Sequence, residues 1–298
     1  MEAIVVEVRR NGVVEARHTV HAVAVRDGQV VAAAGDAGLT CFMRSASKPI
    51  QALPLARARE DLDDRDLAIA SASHRATDEQ IAAVRALLAK APATEDELEV
   101  GPQEGRPPQP IYNNCSGKHA GMLALCRAQG WDATGYRLAK HPVQQGCLAA
   151  HAEAAEVDGD TLATGIDGCG VVTFALTLER MAHAFSRFEQ LPAGMRIATA
   201  MRAHPNLIGG EDGADVMLMR AASHWFAKGG AEGLLCAGGP DGLGVALKCA
   251  DGSSRPLAPA IAAFCAPFAP DLAQLADTPI LNSRGERVGE CVVSFTNL

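Results

Sequence analysis

Strand-like runs stand at both ends of this 298-residue chain with helical patterns between them, and that placement limits the fold more than any other feature. Ile4 to Val8, His18 to Val25 and Val30 to Ala34 are β-branched or alternate apolar with polar residues, as half-buried strands do. Asp27-Gly28 is a hairpin turn signal, because both residues tolerate the left-handed backbone of a two-residue turn, so the start reads as an antiparallel meander. Strand character returns in Leu234 to Ala237, Gly244 to Lys248 and Val288 to Phe295, around an apolar helical run near Pro259 to Phe268. In the middle the pattern is helical after Pro49. Thr77-Asp78-Glu79-Gln80 is a capping box opening an amphipathic run that ends near Lys90. Gly117 to Gln129 stops at Gly130, and Pro142 to Ala155, Leu178 to Phe188 and Met195 to Ala203 are further helical runs. Residues 91 to 112 hold five prolines and no periodicity, which makes them a loop or an edge segment.

Hairpin-rich ends pair antiparallel, and strands at both ends must find partners in one sheet. The expected fold is therefore α/β (α+β): an antiparallel sheet from the N- and C-terminal segments, covered by helices, with an inserted helical subdomain. The expectation is one domain over residues 1–298, with the sheet part from 1–44 and 232–298 and the helical part from 45–231. That order of elements is similar to the serine β-lactamase and transpeptidase superfamily, whose nucleophile opens the first helix of the helical region. A net charge of −8 without any Lys/Arg run argues against nucleic acid or an anionic membrane as partner. The opening MEAIVVEVRRNG has too short an apolar run and acidic flanks for a signal peptide, and no later stretch is apolar enough to span a bilayer, so a cytoplasmic location is expected. Nine cysteines without a secretory signal read as reduced thiols, most of them small core residues such as Cys126 and Cys265.

The chemistry starts at Arg44-Ser45-Ala46-Ser47-Lys48-Pro49, where the strand pattern gives way to helix. Ser45 and Lys48 are three apart, which puts them on one face of a first helical turn. A serine hydroxyl becomes a nucleophile when a base takes its proton, and a desolvated lysine amine is such a base. The same spacing also suits a helix-capping serine beside a solvated lysine. Composition favours the first reading, since the chain carries 21 Arg and only six Lys, and lysine, unlike arginine, can give up its proton. Lys90 closes a helical run, and Lys140 and Lys228 read as exposed ends or loops. Lys48, Lys118 and Lys248 each sit in a small, Ser- or Gly-rich context.

Two further constellations stand out. In Ser71-Ala72-Ser73-His74, neighbouring side chains on an extended chain point opposite ways, so His74 is a poor base for Ser73. If Ser73 is a second nucleophile, Lys248, after the glycine-rich Gly238-Gly239-Pro240-Asp241-Gly242, is the candidate base. Asn113-Asn114-Cys115-Ser116-Gly117-Lys118-His119 opens a helix, and Asp167-Gly168-Cys169-Gly170 is a tight turn. Thiolates from Cys115 and Cys169 with one nitrogen would fill most of a tetrahedral zinc shell, and spacing nominates His119 as that nitrogen with Lys118 as a positive neighbour. Two ordinary buried cysteines fit the same residues.

Together these blocks resemble the rhizobial-type L-asparaginases, the asparaginase II family. The matching residues are Arg44-Ser45-x-x-Lys48-Pro49-x-Gln51, Ala72-Ser73-His74, and Asn114-Cys115-Ser116-Gly117-Lys118-His119-x-Gly121-Met122. Thr164-Gly165-Ile166-Asp167-Gly168-Cys169, His204-Pro205 and Asp241-Gly242-x-Gly244-Val245-x-x-Lys248 follow in the family's order. The resemblance implies hydrolysis of L-asparagine to L-aspartate and ammonia on a serine β-lactamase-like fold, as a homodimer. It also implies two Ser-Lys tandems, Ser45 with Lys48 and Ser73 with Lys248, with Arg44, Gln51, His74, Asn114 and Asp167 around the substrate. Its metal set carries over as Cys115, Lys118 and Cys169 around zinc, with Lys118 in place of His119. The competing readings are a glutaminase or other serine amidohydrolase, since one methylene is worth only about 1–3 kcal/mol of discrimination, and a non-catalytic zinc-binding protein of the same fold. A β-lactam hydrolase is disfavoured because the late strand carries no Lys-Thr-Gly.

Overall fold

The computed structural model describes residues 2–295. The chain divides into two compact units, the first made of Met1–Cys41, Thr177–Ser186 and Asp212–Leu298, the second of Phe42–Leu176 and Arg187–Glu211.

The first unit is built on an eight-stranded antiparallel sheet. Its strands run in the order Thr278–Leu281, Arg287–Phe295, Ile4–Arg10, Val13–Arg26, Gly244–Cys249, Leu234–Gly238 and Phe226–Gly230, with Gln29–Ala34 also paired to Val13–Arg26. Both chain ends thus meet in one sheet: Val8 faces Cys291 on one side, and Ala22 faces Leu247 on the other. Asp27 and Gly28 take φ of +50° and +73° and close the expected hairpin. Asn11 and Gly12, at +47° and +80°, close a second one, so the long strand begins at Val13 rather than at His18.

The central strands are apolar on both faces, and Val20, Ala22, Val23, Ala24, Val245, Ala246 and Leu247 are all fully buried. Helices provide that cover. Leu178–Ser186 lies against the strands Val13–Arg26 and Gly244–Cys249, burying Met181, Ala182 and Phe185. A Cβ on Gly244 would stand 1.9 Å from the Ala182 carbonyl oxygen, so glycine sets how closely this helix approaches. Leu257–Cys265, buried almost throughout, packs on the strands from both ends of the chain. The helix at 178–186 therefore belongs with the sheet and not with the helical part, because its apolar face is satisfied only there. The same holds for Ala214–Ala221, which packs on Phe226–Gly230.

Lys228 corrects an expectation. It lies inside the edge strand Phe226–Gly230 and is only 2% exposed, rather than at an exposed end or loop. Its Nζ donates to Asp215 Oδ2 at 2.7 Å, and the same carboxylate oxygen accepts the Gly229 N–H. Burial alone would raise the Asp215 pKa, but the Lys228 charge and the backbone donors hold it below its ordinary value.

The second unit is mainly helical, with Asp64–Ala70, Asp78–Lys90, Ser116–Gln129, Pro142–Ala155 and Gly194–Ala203 as its longer helices. The capping box at Thr77 and Gln80 forms in both directions, and Gly130, at φ +67°, ends Ser116–Gln129 as expected. Residues 116 to 126 of that helix are all buried, and a Cβ on Gly117 would meet the Ile69 carbonyl oxygen at 2.2 Å. The unit also contains an antiparallel pair the sequence did not announce, Thr164–Ile166 with Val172–Thr177. All nine cysteines are free thiols, eight of them buried, in line with the reading of small core residues. Among the described residues no helix is long and apolar enough to cross a membrane.

Replacing Lys228 with Met leaves the Asp215 carboxylate buried without its counter-charge. We expect a loss of about 3–5 kcal/mol, read as a lower urea midpoint with an unchanged slope; a midpoint equal to wild type would show that the pair contributes nothing.

Candidate active site and thiol cluster

The chain enters the helical unit through a turn that holds Arg44 at φ +48°, a left-handed backbone that costs a non-glycine residue about 1–3 kcal/mol. Two contacts maintain it. The Arg44 N–H donates to Thr173 Oγ1 at 3.1 Å, and its Nε donates to Asp167 Oδ1 at 2.7 Å. The turn continues as a 3-10 segment, Arg44–Ser47, that carries half-buried Ser45, and then as the short α-helix Lys48–Gln51. Proline at position 49 suits the first turn of that helix, where its missing N–H has no intrahelical acceptor to lose.

Lys48 is fully buried. Its Nζ donates to the Ala72 carbonyl at 2.5 Å and to Ser73 Oγ at 2.9 Å, so it meets the second candidate serine directly. The loop bearing Ser73 is pinned from several sides. The Ser73 N–H donates to Ile208 O at 2.7 Å, and the His74 N–H donates to Asn114 O at 3.1 Å. Gln80 makes all four of its side-chain bonds here. Its Oε1 accepts from the N–H groups of Arg75 and Thr77, and its Nε2 donates to the carbonyls of Asn206 and Gly209.

His74 is a strut in this loop. Ser116 gives its hydroxyl proton to Ile111 O at 2.7 Å, so its oxygen accepts the His74 Nε2 proton at 2.8 Å, while His74 Nδ1 accepts the Ala76 N–H. Burial first, then the Lys48 and Arg106 charges, push the ring down to about 3, and it stays neutral. Both ring nitrogens are thus engaged by the protein.

The thiols sit close by in the same unit. Cys115 caps Ser116–Gln129, and Cys169 follows Asp167 in a turn closed by the Gly170 N–H on Asp167 O at 2.8 Å. Lys118 Nζ donates to Cys169 Sγ at 3.1 Å, and the Cys115 thiol hydrogen-bonds the same sulfur. The Cys115 bond and the Lys118 charge outweigh burial and bring Cys169 down to about 5; Cys115, giving its proton to that sulfur and buried as well, is pushed up to about 12. Burial would lower Lys118, but the Cys169, Cys115 and Asp167 charges raise it above its ordinary value.

Two sulfurs and an amine thus converge out of water and share protons that an incoming ion would displace, a donor set that suits zinc. His119, which spacing alone nominated, points elsewhere. Its Nδ1 meets the Tyr136 hydroxyl at 2.7 Å, and burial with the Lys118 charge pushes it down to about 3. One helical position moves a side chain about 100° around the axis, which separates residue 118 from residue 119.

The sequence matches the family model described as L-asparaginase II over residues 6–293. The chain belongs to the L-asparaginase II family. Comparison with curated proteins gives no match.

Of the candidate catalytic, substrate and metal residues in this L-asparaginase II chain, all but Lys248 lie in the helical unit. Lys248 is on the sheet strand Gly244–Cys249, opposite His21, with its Nζ on the Cys249 carbonyl at 2.5 Å. Arg44 and Asp167 are each other's partner. Buried Gln51 donates to Val172 O at 3.2 Å and, with Lys118, lines a small cavity of about 10 Å³. Asn114 is half-buried, with its N–H on Gln103 Oε1 at 2.8 Å. Sequence reasoning missed Thr173, which reads as one more strand residue in Val171-Val172-Thr173-Phe174. It also saw in Gln80 only a helix cap.

Three buried histidines make the helical unit acid-sensitive. His74, His119 and His151 are pushed down to about 3, 3 and 4, chiefly by burial, against an ordinary value of 6.5. Below 6.5 the unfolded chain binds protons that the folded chain refuses, so this stability is present above 6.5 and is lost as pH falls towards 4. Urea midpoints measured from pH 7 to pH 4.5 should fall, and His151→Gln should reduce their pH slope by about a third; an unchanged slope would show that the ring is protonated in the fold.

Proposed function

We propose that this chain hydrolyses L-asparagine to L-aspartate and ammonia with a serine nucleophile activated by lysine. The observation that carries the reading is the fully buried Lys48 amine, 2.9 Å from a serine hydroxyl and three residues beyond Ser45. A buried amine gives up its proton more readily than a solvated one, which suits it to act as a base near neutral pH.

In this reading Ser45 attacks the side-chain amide carbon while Lys48 takes the hydroxyl proton. The tetrahedral intermediate collapses with cleavage of the C–N bond, and the proton passes to the departing ammonia. Water then cleaves the β-aspartyl ester and regenerates Ser45. Ser73, hydrogen-bonded to Lys48, relays protons, and Lys248 is assigned to it on the family resemblance. Arg44, Gln51, Asn114 and Asp167 hold the substrate or shape the wall around it. The Lys48–Ser73 contact favours a second reading, in which Ser73 is the acylated residue and Ser45 the relay.

Cys115, Lys118 and Cys169 are the residues that would hold zinc. When bound, zinc supplies a fixed positive charge that anchors substrate and clamps the Asp167 turn to the buried helix. A sheet formed from both chain ends, with Ser45 at the entrance to the first helix, supports the serine β-lactamase-like assignment. A homodimer is the assembly that the resemblance carries with it.

Ammonia release from asparagine and from glutamine tests the reading. Asparagine should be the better substrate, and Lys48→Met should lower kcat by about 10²- to 10⁴-fold. Full activity in Ser45→Ala, or no release from either amide by the wild type, would overturn it, the latter in favour of a non-catalytic zinc-binding protein. Mass spectrometry of the acid-quenched ester assigns the nucleophile: a label on Ser73 selects the second reading. Chelation should raise KM far more than it lowers kcat, and a fall in kcat alone would move zinc from anchoring to chemistry.

A further inference from the structure

We propose that His18, Cys249 and Asp251 form a second divalent-metal site, for a zinc-class transition ion, that shares no residue with the Cys115 set. Among the described residues these three are the group of His, Cys, Asp and Glu whose ligand atoms all lie within 4.8 Å of one another. The fold places them by register. His18 lies on the strand Val13–Arg26, Cys249 ends the neighbouring strand, and Val20 pairs with Cys249. With side chains alternating along a strand, His18, two residues from Val20, shares its face of the sheet. The pairing continues past the strand end through the Ala250 N–H on Thr19 O at 2.8 Å, which brings Asp251 alongside His18.

The donors converge on one carboxylate. His18 Nδ1 lies 2.6 Å from Asp251 Oδ2, and Cys249 Sγ lies 2.9 Å from Asp251 Oδ1. The Ser253 N–H, 2.9 Å from Oδ1, fixes the carboxylate in the turn. His18 and Cys249 are buried, whereas the Asp251 side chain is 48% exposed, so two ligands are fixed in the protein and the third faces the side from which an ion and its waters arrive. His18 Nε2 is buried without a hydrogen-bond partner, which leaves Nδ1 as the working end of the ring. One sulfur, one imidazole nitrogen and one carboxylate oxygen suit zinc, cobalt or copper; calcium and magnesium prefer oxygen throughout. Metal–ligand bonds of about 2.0–2.3 Å hold ligand atoms about 3–4 Å apart, a spacing close to that of the three donors, which all lie within 4.8 Å of one another. The step balances when both hydrogen-bond protons are released. The ion forms bonds to the Cys249 sulfur, to His18 Nδ1 and to an Asp251 oxygen. The thiol proton leaves to solvent, and the proton that Nδ1 gives to Asp251 Oδ2 leaves Nδ1, the neutral ring keeping its one proton on Nε2.

The test uses the full chain, stripped with a chelator and titrated with Co²⁺. Bound equivalents are counted by native mass spectrometry, and the near-ultraviolet thiolate-to-cobalt band is followed. We expect Cys249→Ala and His18→Gln each to bind one equivalent fewer than wild type, and Cys115→Ala to leave the Cys249-dependent equivalent in place. Wild type, Cys249→Ala and His18→Gln binding the same number of ions would overturn the proposal and leave the three residues as a hydrogen-bonded tie. The two metal sets fail separately: loss only in Cys115→Ala supports the thiol cluster alone, and loss only in Cys249→Ala and His18→Gln supports this site alone.

Discussion

The Lys48 amine is enclosed by the helical unit, and an amine withdrawn from water persists in a folded interior only if its protons meet acceptors. Two such acceptors are a carbonyl and a hydroxyl on the same loop, Ala72 O and Ser73 Oγ. That loop therefore helps to make the buried lysine tolerable. Its anchors are neutral: the Ser73 N–H on Ile208 O, the neutral His74 ring between Ser116 and Ala76, and the fully bonded Gln80 amide. A charged strut here would compete for the lysine's protons or repel them. Amide and imidazole groups hold the geometry without disturbing the proton chemistry.

A second tie joins the serine turn to the thiol turn. Asp167 pairs with Arg44, one residue before Ser45, and lies two residues before Cys169. Its carboxylate also counts among the negative charges that raise Lys118. One side chain thus helps hold the strained backbone before Ser45 and helps balance the buried amine of the thiol cluster. A change of charge at the cluster would be felt at Asp167 and through it at the turn that carries Ser45.

What the sequence made legible were local and strongly constrained features: the alternating strands, the Asp27-Gly28 hairpin, the Thr77 capping box and the Gly130 stop. The candidate residues other than Lys248 were likewise found within one unit, because their motifs lie on elements that pack together. Asn11-Gly12 carries the same turn signal as Asp27-Gly28, and it starts the second strand at Val13, ahead of the β-branched run from His18. The helix at 178–186 could not be allotted from its own pattern, since an amphipathic face says that something covers it and not what. Thr173 and Gln80 stayed hidden for a related reason. Each acts through one or a few hydrogen bonds to residues far away in sequence, and neither has a spacing that announces such a partner.

Lysine usage shows where a compositional argument succeeds and where it stops. In a chain that writes arginine 21 times and lysine six, Lys48, Lys118 and Lys228 are buried, so rarity does mark enclosed positions. It does not mark chemistry. Lys228 faces the Asp215 carboxylate, and an ammonium locked to a carboxylate is a structural pair. Lys118 faces the Cys169 sulfur, a softer partner that shares the proton with the amine. Lys48 donates to a carbonyl and a hydroxyl, Ala72 O and Ser73 Oγ. Three enclosed lysines in one chain thus meet three kinds of partner, a carboxylate, a sulfur, and a carbonyl with a hydroxyl, and burial by itself does not tell them apart.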